Sequence, residues 1–144
     1  MTISFRNYQH PDDYKRISAF LIEHYQPGNQ DGNWIEPEWE YMHGHPYLQA
    51  EHLGKICIWE EDGEIVAAVH FEWQLGEAIF QFKHGYRHLR DKLLDYAETH
   101  LASKEGMLHA YVRNTDPEFS ALIESRGYTR LPNADRPMTH MAIP

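Results

Sequence analysis

The residue types best suited to chemistry lie in the segment IFQFKHGYRHLRDKLLDYAETHL, residues 79–101. Its pattern predicts a strand, a turn at Gly85 and a helix, and the free backbone N–H groups at a helix N-terminus form an anion site. Proteins that bind phosphate at such a junction use several glycines, because side chains keep the backbone away from the ligand. Here Gly85 is followed by His88, Leu89 and Arg90. The segment therefore indicates either a nucleotide-type cofactor site or a scaffold that has lost this chemistry.

Composition restricts the classes of partner that this chain can bind. The length of 144 residues predicts one domain, 1–144, and 42% hydrophobic residues suit an ordinary globular core. The net charge of −9 opposes binding to nucleic acid and to anionic membrane surfaces. The chain shows neither an apolar run of membrane-spanning length nor a signal-peptide pattern at its start. Its single cysteine, Cys57, is expected to be a buried core residue, and a cytoplasmic location is expected.

Hydrophobic periodicity predicts the elements that position the junction. Asp62-Gly63 joins two apolar runs as a hairpin, and EAIFQF follows as a third antiparallel strand. Leu89, Leu93, Ala97 and Leu101 recur every fourth residue, as on the buried face of a helix. The full order is β-α-α-β-β-β-α-β-α-β-β, in which Ile79–Val112 forms a βαβ unit. Two parallel strands of that unit should part at a ligand-binding cleft.

Two further helices have clear sequence signals. The stretch PDDYKRISAFLIEHY predicts a helix that starts at Pro11 and has acidic residues at the positive end of its dipole. Ile17, Phe20, Leu21 and His24 fall on one face of this helix. The stretch TDPEFSALIESRGY predicts a second helix, with Asp116 as the N-cap residue, Pro117 in the first turn and Gly127 past the end.

This order resembles that of the GNAT superfamily, the acyl-CoA-dependent N-acetyltransferases. The segment EAIFQFKHGYR is similar to the family pattern E-I-x-x-L-x-V-x-P-x-Y-R, and LIESRGYTR is similar to a family helix that ends in Y-E-K-x-G-F. The resemblance covers nearly the whole chain. It implies an α/β, GNAT-like (acyl-CoA N-acyltransferase) fold, with a mixed, mostly antiparallel sheet flanked by helices on both faces.

The resemblance also implies a set of site residues and acetyl-CoA as the co-substrate. The backbone of Phe80 and Phe82 would hold the pantetheine arm, and Glu77 would be the catalytic base that prepares the amine for attack. Arg87 would meet the pyrophosphate together with the backbone N–H groups of the helix start, which are those of His88, Leu89, Arg90 and Asp91.

Three departures from the family pattern qualify that implication. The family glycines after Arg87 are absent, and the segment is shorter. Asp91 places a negative charge near the expected phosphates. Ile123 occupies the position of the family tyrosine that protonates the leaving thiolate, and isoleucine has no proton to give.

Two functions therefore stay open from the sequence. One is an N-acetyltransferase that transfers an acetyl group from acetyl-CoA to an unknown amine. The alternative is a noncatalytic GNAT-like domain, similar to the degenerate N-terminal half of tandem GNAT proteins, serving as the docking or structural half of a two-domain acetyltransferase. The expected partners are a small-molecule amine or acyl-CoA, and a second GNAT domain or a second copy of the chain.

Histidines and aromatic residues are unusually frequent. The chain has eleven histidines, but only His43 and His45 lie close in sequence, and a metal site requires three or four convergent ligands. No bound metal is expected. The stretch GNWIEPEWEYMHGHPYL is rich in tryptophan and tyrosine. It fits a lid helix packed on the sheet, a wall of the substrate cleft or an interface with another domain.

Overall fold

The computed structural model describes residues 2–29, 32–113, 115–131 and 138–142, with residues 29 and 138–142 described by their backbone alone. The order of strands and α-helices confirms the predicted order. The strands are β1 Ile3–Asn7, β2 Cys57–Glu61, β3 Glu64–His70, β4 Glu77–Phe82, β5 His109–Arg113, β6 Thr129–Arg130 and β7 Met138–Ala142. The α-helices are α1 Asp12–Glu23, α2 Glu36–Gly44, α3 Arg90–His100 and α4 Pro117–Ser125. Short 3-10 helices lie at Pro27–Asn29, Ala50–Lys55 and Arg87–Leu89.

The seven strands form one sheet in the order β1-β2-β3-β4-β5-β7-β6. All neighbouring strands are antiparallel except β4 and β5, which are parallel. The β2–β3 hairpin turns at Asp62 and Gly63, both with positive φ (54° and 80°). This left-handed pair is the backbone conformation that makes Asp-Gly a strong hairpin signal.

The parallel pair is joined over only part of its length. Strands β4 and β5 are in register from Glu77↔His109 to Ile79↔Tyr111, and this register does not extend to Phe80–Phe82. The predicted parting of the two strands is therefore present. Lys83 N–H bonds the carbonyl of Val66 in β3 at 2.9 Å. Because hydrogen-bonding groups alternate sides along a strand, the N–H and C=O of Phe82 point into the gap beside β5.

Helices cover both faces of the sheet, as predicted. Phe80 and Phe82 contact Phe119 of α4, with ring centroids 4.9 and 6.1 Å apart. Side chains alternate along a strand, so Gln81 between them points to the opposite face. That face is covered by α2, where Trp39 lies 5.2 Å from the ring of His70.

The helices bury most of the residues that periodicity selects. Leu89, Leu93, Ala97 and Leu101 are all buried. Helix α1 buries Ile17, Phe20 and Leu21, and the half-buried ring of His24 lies on the same face, 4.8 Å from the ring of Phe20. The helix also buries Asp13, whose carboxylate accepts two hydrogen bonds of 2.8 Å from Arg6. The Arg6 guanidinium holds the pKa of Asp13 below its usual range.

The structure also shows the environment of the single cysteine and the character of the helices. Cys57 is a free, buried thiol, as predicted. Within the described ranges, the helices are too short or too polar to cross a membrane.

Candidate cofactor cleft

The gap between β4 and β5 is occupied by the chain itself. The side chain of Asn33 donates from Nδ2 to the carbonyl oxygen of Phe82 at 2.7 Å, and its Oδ1 accepts the N–H of Phe82 at 2.9 Å. One side-chain amide therefore satisfies both backbone groups that a neighbouring strand or an extended ligand would use. Asn33 is itself buried.

We refer to residues Gly32–Trp34 as the plug. The N–H of Trp34 donates to Oε1 of Gln81 at 2.9 Å, so the plug is bonded to two successive residues of β4. Gly32 has φ of +82°, and a Cβ at this position would lie 3.1 Å from Cγ of Arg113. A side chain here would both strain the backbone and crowd β5, so glycine allows the plug to enter the gap.

Little space is left beside the plug. The cavity bounded by the plug, the ends of β4 and β5 and the side chain of Phe119 has a volume of about 20 Å³. That volume holds about one water molecule. A pantetheine arm is many times larger than this space.

The two arginines at the helix start are paired with a carboxylate. Nη1 of Arg87 lies 2.9 Å from Oδ2 of Asp116, and Nη2 of Arg90 lies 2.8 Å from Oδ1. The same Asp116 caps α4 by accepting the N–H of Phe119 at 3.1 Å, which confirms its predicted N-cap role. Arg87 and Arg90 thus neutralise a carboxylate at the position where the resemblance implies phosphate.

The backbone at the start of α3 is also partly engaged. The N–H of Leu89 donates to Tyr86 and the N–H of Arg90 donates to Arg87, because the chain enters α3 through a 3-10 turn. The side chain of Leu89 is buried. His88 is exposed, and Asp91 forms an ion pair of 3.0 Å with Arg126 of α4's C-terminal end.

Glu77 anchors the loop between β3 and β4. Its Oε1 accepts the N–H groups of Glu72 and Trp73 at 3.1 Å each and that of Gln74 at 3.4 Å. Its second oxygen, Oε2, carries none of these three bonds. Glu77 lies three residues before Phe80, or about 10 Å along the strand. The carboxylate therefore has a structural role, and Oε2 is the atom through which a base would act.

Comparison with known proteins identifies the architecture. No protein-family model and no curated protein sequence matches the chain. Among solved structures, a GNAT-family acetyltransferase from Staphylococcus aureus Mu50 matches with a TM-score of 0.65 and 14% identity, covering 99% of this chain and 98% of that one. The PaiA N-acetyltransferase from Thermoplasma acidophilum, solved in complex with coenzyme A, matches at 0.61 and 16% identity, with 99% coverage of both chains.

A third match is the ribosomal-protein-S18-alanine N-acetyltransferase from Escherichia coli, with a TM-score of 0.60, 20% identity and coverage of 99% of this chain and 94% of that one. The chain has the GNAT fold. Because these identities are low, they establish the architecture of this GNAT-fold domain, whereas its activity depends on the residues of its own cleft.

The residues of the cleft do not fit an acyl-CoA in this conformation. Phe82 bonds Asn33 through both of its backbone groups, and Arg87 and Arg90 bond Asp116. The expected cofactor residues Phe80, Phe82, Arg87, Leu89 and Arg90 do lie around the cleft and the start of α3. The structure brings them together, but the backbone of Phe82 and the terminal guanidinium nitrogens of Arg87 and Arg90 are engaged within the protein.

The residues that close the cleft were not singled out from the sequence. Asn33 and Trp34 belong to a stretch that reads as loop, and Asp116 was expected only to cap a helix. One signal was available, since Gln81 and His70 are polar residues within apolar strands. Buried polar groups require partners, so such residues indicate a specific contact.

The histidines and aromatic residues separate into core and surface groups. Trp34 and Trp39 are buried, whereas Tyr41 and Tyr47 are exposed. The buried tryptophans of the aromatic stretch thus belong to the plug and to α2, respectively. His43 is half-buried on α2 against the ring of Trp39, and burial lowers its pKa. Within the described part of the chain, no three histidine, cysteine or acidic side chains converge as metal ligands.

Proposed function

We propose that this chain is a noncatalytic GNAT-fold domain whose acyl-CoA cleft is closed by its own plug. The observation that carries this proposal is the paired hydrogen bonding of the Asn33 amide to the N–H and C=O of Phe82. Those backbone groups are the ones that the family resemblance assigns to the pantetheine arm. A cofactor must displace Asn33 before it can bond there.

Electrostatics supports the same proposal. The expected pyrophosphate contacts, Arg87 and Arg90, already share the carboxylate of Asp116. A ligand phosphate would compete with the Asp116 carboxylate for the N–H groups of both arginines. Ile123 provides no acid for a leaving thiolate. The remaining role is that of a docking or structural domain beside a catalytic GNAT domain or a second copy of the chain, in a cytoplasmic setting.

Isothermal titration calorimetry with acetyl-CoA tests this proposal. The wild-type chain is expected to give no saturable heat at millimolar ligand, while the Thermoplasma PaiA protein, whose structure contains coenzyme A, serves as the positive control. A thermal melt is the second readout. A ligand present at a hundred times its Kd stabilises by about 2.7 kcal/mol, which raises the Tm of a domain this size by roughly 5–10 °C. Saturable binding with such a shift would overturn the proposal.

An N-acetyltransferase is the second candidate, because the strands still part at the position where this fold binds its cofactor. In this candidate the plug leaves the cleft, acetyl-CoA enters, and Oε2 of Glu77 takes a proton from an amine. The test is thiol release from acetyl-CoA in the presence of primary amines. Enzyme activity that falls in Glu77→Gln while the Tm is kept would favour this candidate over the closed domain.

A further inference from the structure

A continuous chain of hydrogen bonds runs from the plug into the core. The N–H of Trp34 meets Oε1 of Gln81 at 2.9 Å, and Nε2 of Gln81 lies 3.1 Å from Nε2 of His70. Nδ1 of His70 then lies 2.8 Å from the carbonyl oxygen of Phe71. His70 and Gln81 are fully buried, so water cannot substitute for these partners.

The Phe71 carbonyl and the Trp34 N–H, at the two ends of this hydrogen-bonded series, determine where each of its hydrogens lies. The Phe71 carbonyl can only accept, so Nδ1 of His70 carries the hydrogen and the neutral ring leaves Nε2 as an acceptor. The NH₂ group of Gln81 must then face His70. At the other end, the Trp34 N–H can only donate, so Oε1 of Gln81 must face the plug. Both ends therefore require the same orientation of the Gln81 amide.

We propose that His70 and Gln81 form a latch that holds the plug in the cleft. This inference rests on the proposed closed state and adds the means by which that state is kept. Turning the Gln81 amide would place NH₂ against the Trp34 N–H and Oε1 against the lone pair of His70, which removes two buried hydrogen bonds together. The edge of the Trp34 ring also packs on His70 at 4.8 Å, so the latch and the plug share a contact surface.

The latch acts on β4 through two adjacent residues. Gln81 bonds Trp34 on the α2 side of the sheet, and Phe82 bonds Asn33 within the gap. Because Asn33 and Trp34 are consecutive, loss of the Gln81 bond removes the hydrogen bond that holds Trp34 while the Asn33 bonds to Phe82 and the packing of the Trp34 ring on His70 remain. His70 and Gln81 are positioning residues in this role, since neither would touch a cofactor bound at Phe82.

Hydrogen exchange measured by NMR on the full chain tests the latch without any ligand. In Gln81→Met, which keeps the length of the side chain but cannot accept the Trp34 N–H, protection of the Trp34 amide should fall about tenfold or more. The Phe82 amide should lose protection with it. The Tyr8 amide, which donates to the carbonyl of Ile56 at 2.8 Å beside the ends of β1 and β2, is the reference for global stability.

Gln81→Glu is the matched rescue variant. A glutamate accepts the Trp34 N–H in either protonation state, and it can bond His70 either as an acid donating to Nε2 or as a carboxylate accepting from the protonated ring. Trp34 protection should therefore stay within about threefold of wild type. Equal loss in the Glu and Met variants, or unchanged protection in the Met variant relative to Tyr8, would overturn the latch.

The ¹⁵N resonances of the His70 ring test the latch in the wild-type chain, so this test does not depend on the folding of any variant. The latch requires neutral His70 with its hydrogen on Nδ1 at neutral pH. The opposite tautomer or a protonated ring would overturn it. Binding of acetyl-CoA to wild type would instead contradict the closed-domain proposal, so the two failures are distinguishable.

Discussion

Replacement of Asp116 gives the sharpest energetic prediction, because one carboxylate pairs two arginines and caps a helix. Arg87 and Arg90 lie 2.9 and 2.8 Å from its oxygens, and the Phe119 N–H lies 3.1 Å from Oδ1. The Asp116 side chain is 13% exposed and the two arginines are 29% and 15% exposed. The Asp116 carboxylate is therefore shielded enough from water for its bonds to the two arginines to stabilise the fold, although the arginines keep some contact with water.

The expected magnitudes follow from those contacts. Asp116→Ala removes the cap, worth about 1 kcal/mol, and two charge-assisted bonds of about 1 kcal/mol each at this exposure. The free energy of unfolding should fall by about 3 kcal/mol, a Tm decrease of roughly 10 °C. Asp116→Asn keeps a good N-cap residue and loses only the ionic part, so its loss should be about 2 kcal/mol.

Urea denaturation of the three proteins measures these differences. Glu118→Ala is the control, since Glu118 also approaches Arg90, at 3.4 Å, but is 83% exposed. Its effect should stay within about 0.5 kcal/mol. The interpretation of Asp116 fails if Asp116→Ala is no more destabilising than Glu118→Ala. The role of the cap fails if the Asn and Ala variants are equally unstable.

Three other residues give predictions that need only simple assays. Burial lowers the pKa of His70 from its usual 6.5 to about 4. Between these pH values the unfolded chain binds a proton at His70 that the folded chain does not. The free energy of unfolding should therefore be highest above pH 6.5 and should fall by up to about 3 kcal/mol as the pH is lowered toward 4. Urea unfolding over this window should show a weaker pH dependence in His70→Gln, and equal slopes would contradict the assignment. Glu77→Ala leaves the three N–H groups of Glu72–Gln74 without their acceptor and should destabilise by about 2 kcal/mol, while Glu77→Gln should lose less than about 1 kcal/mol; a neutral Ala variant in a thermal melt would argue against the anchoring role. Burial raises the pKa of the Cys57 thiol to about 12, so a disulfide reagent should label the chain only after unfolding in urea, and immediate labelling in buffer would show that the thiol is accessible.

Local sequence signals predict most of this architecture. The Asp62-Gly63 turn, the fourfold spacing from Leu89 to Leu101 and the Asp116 cap each determine a local element, and these elements appear as expected. The order of the elements predicts that β4 and β5 are parallel, and the parting of their ends was expected because open sheets bind ligands at such positions.

The closure of the cleft was not predictable in the same way. Asn33 and Phe82 are 49 residues apart, and nothing local in the stretch around Gly32 indicates that it lies against β4. Likewise, Arg87 and Asp116 are 29 residues apart, so the sequence places an arginine at the helix start without showing its partner. Both features depend on how distant elements pack, which local propensity does not specify.

The most direct test of the closed cleft is an NMR titration of the wild-type chain with acetyl-CoA, observing the Phe82 backbone amide and the Asn33 side-chain amide. If Asn33 occupies both backbone groups of Phe82, the two amides should show contacts to each other, and their resonances should stay unchanged at millimolar ligand. Saturable shifts of both amides, together with loss of the contact between them, would show that the cofactor displaces the plug and would contradict the closed-cleft account.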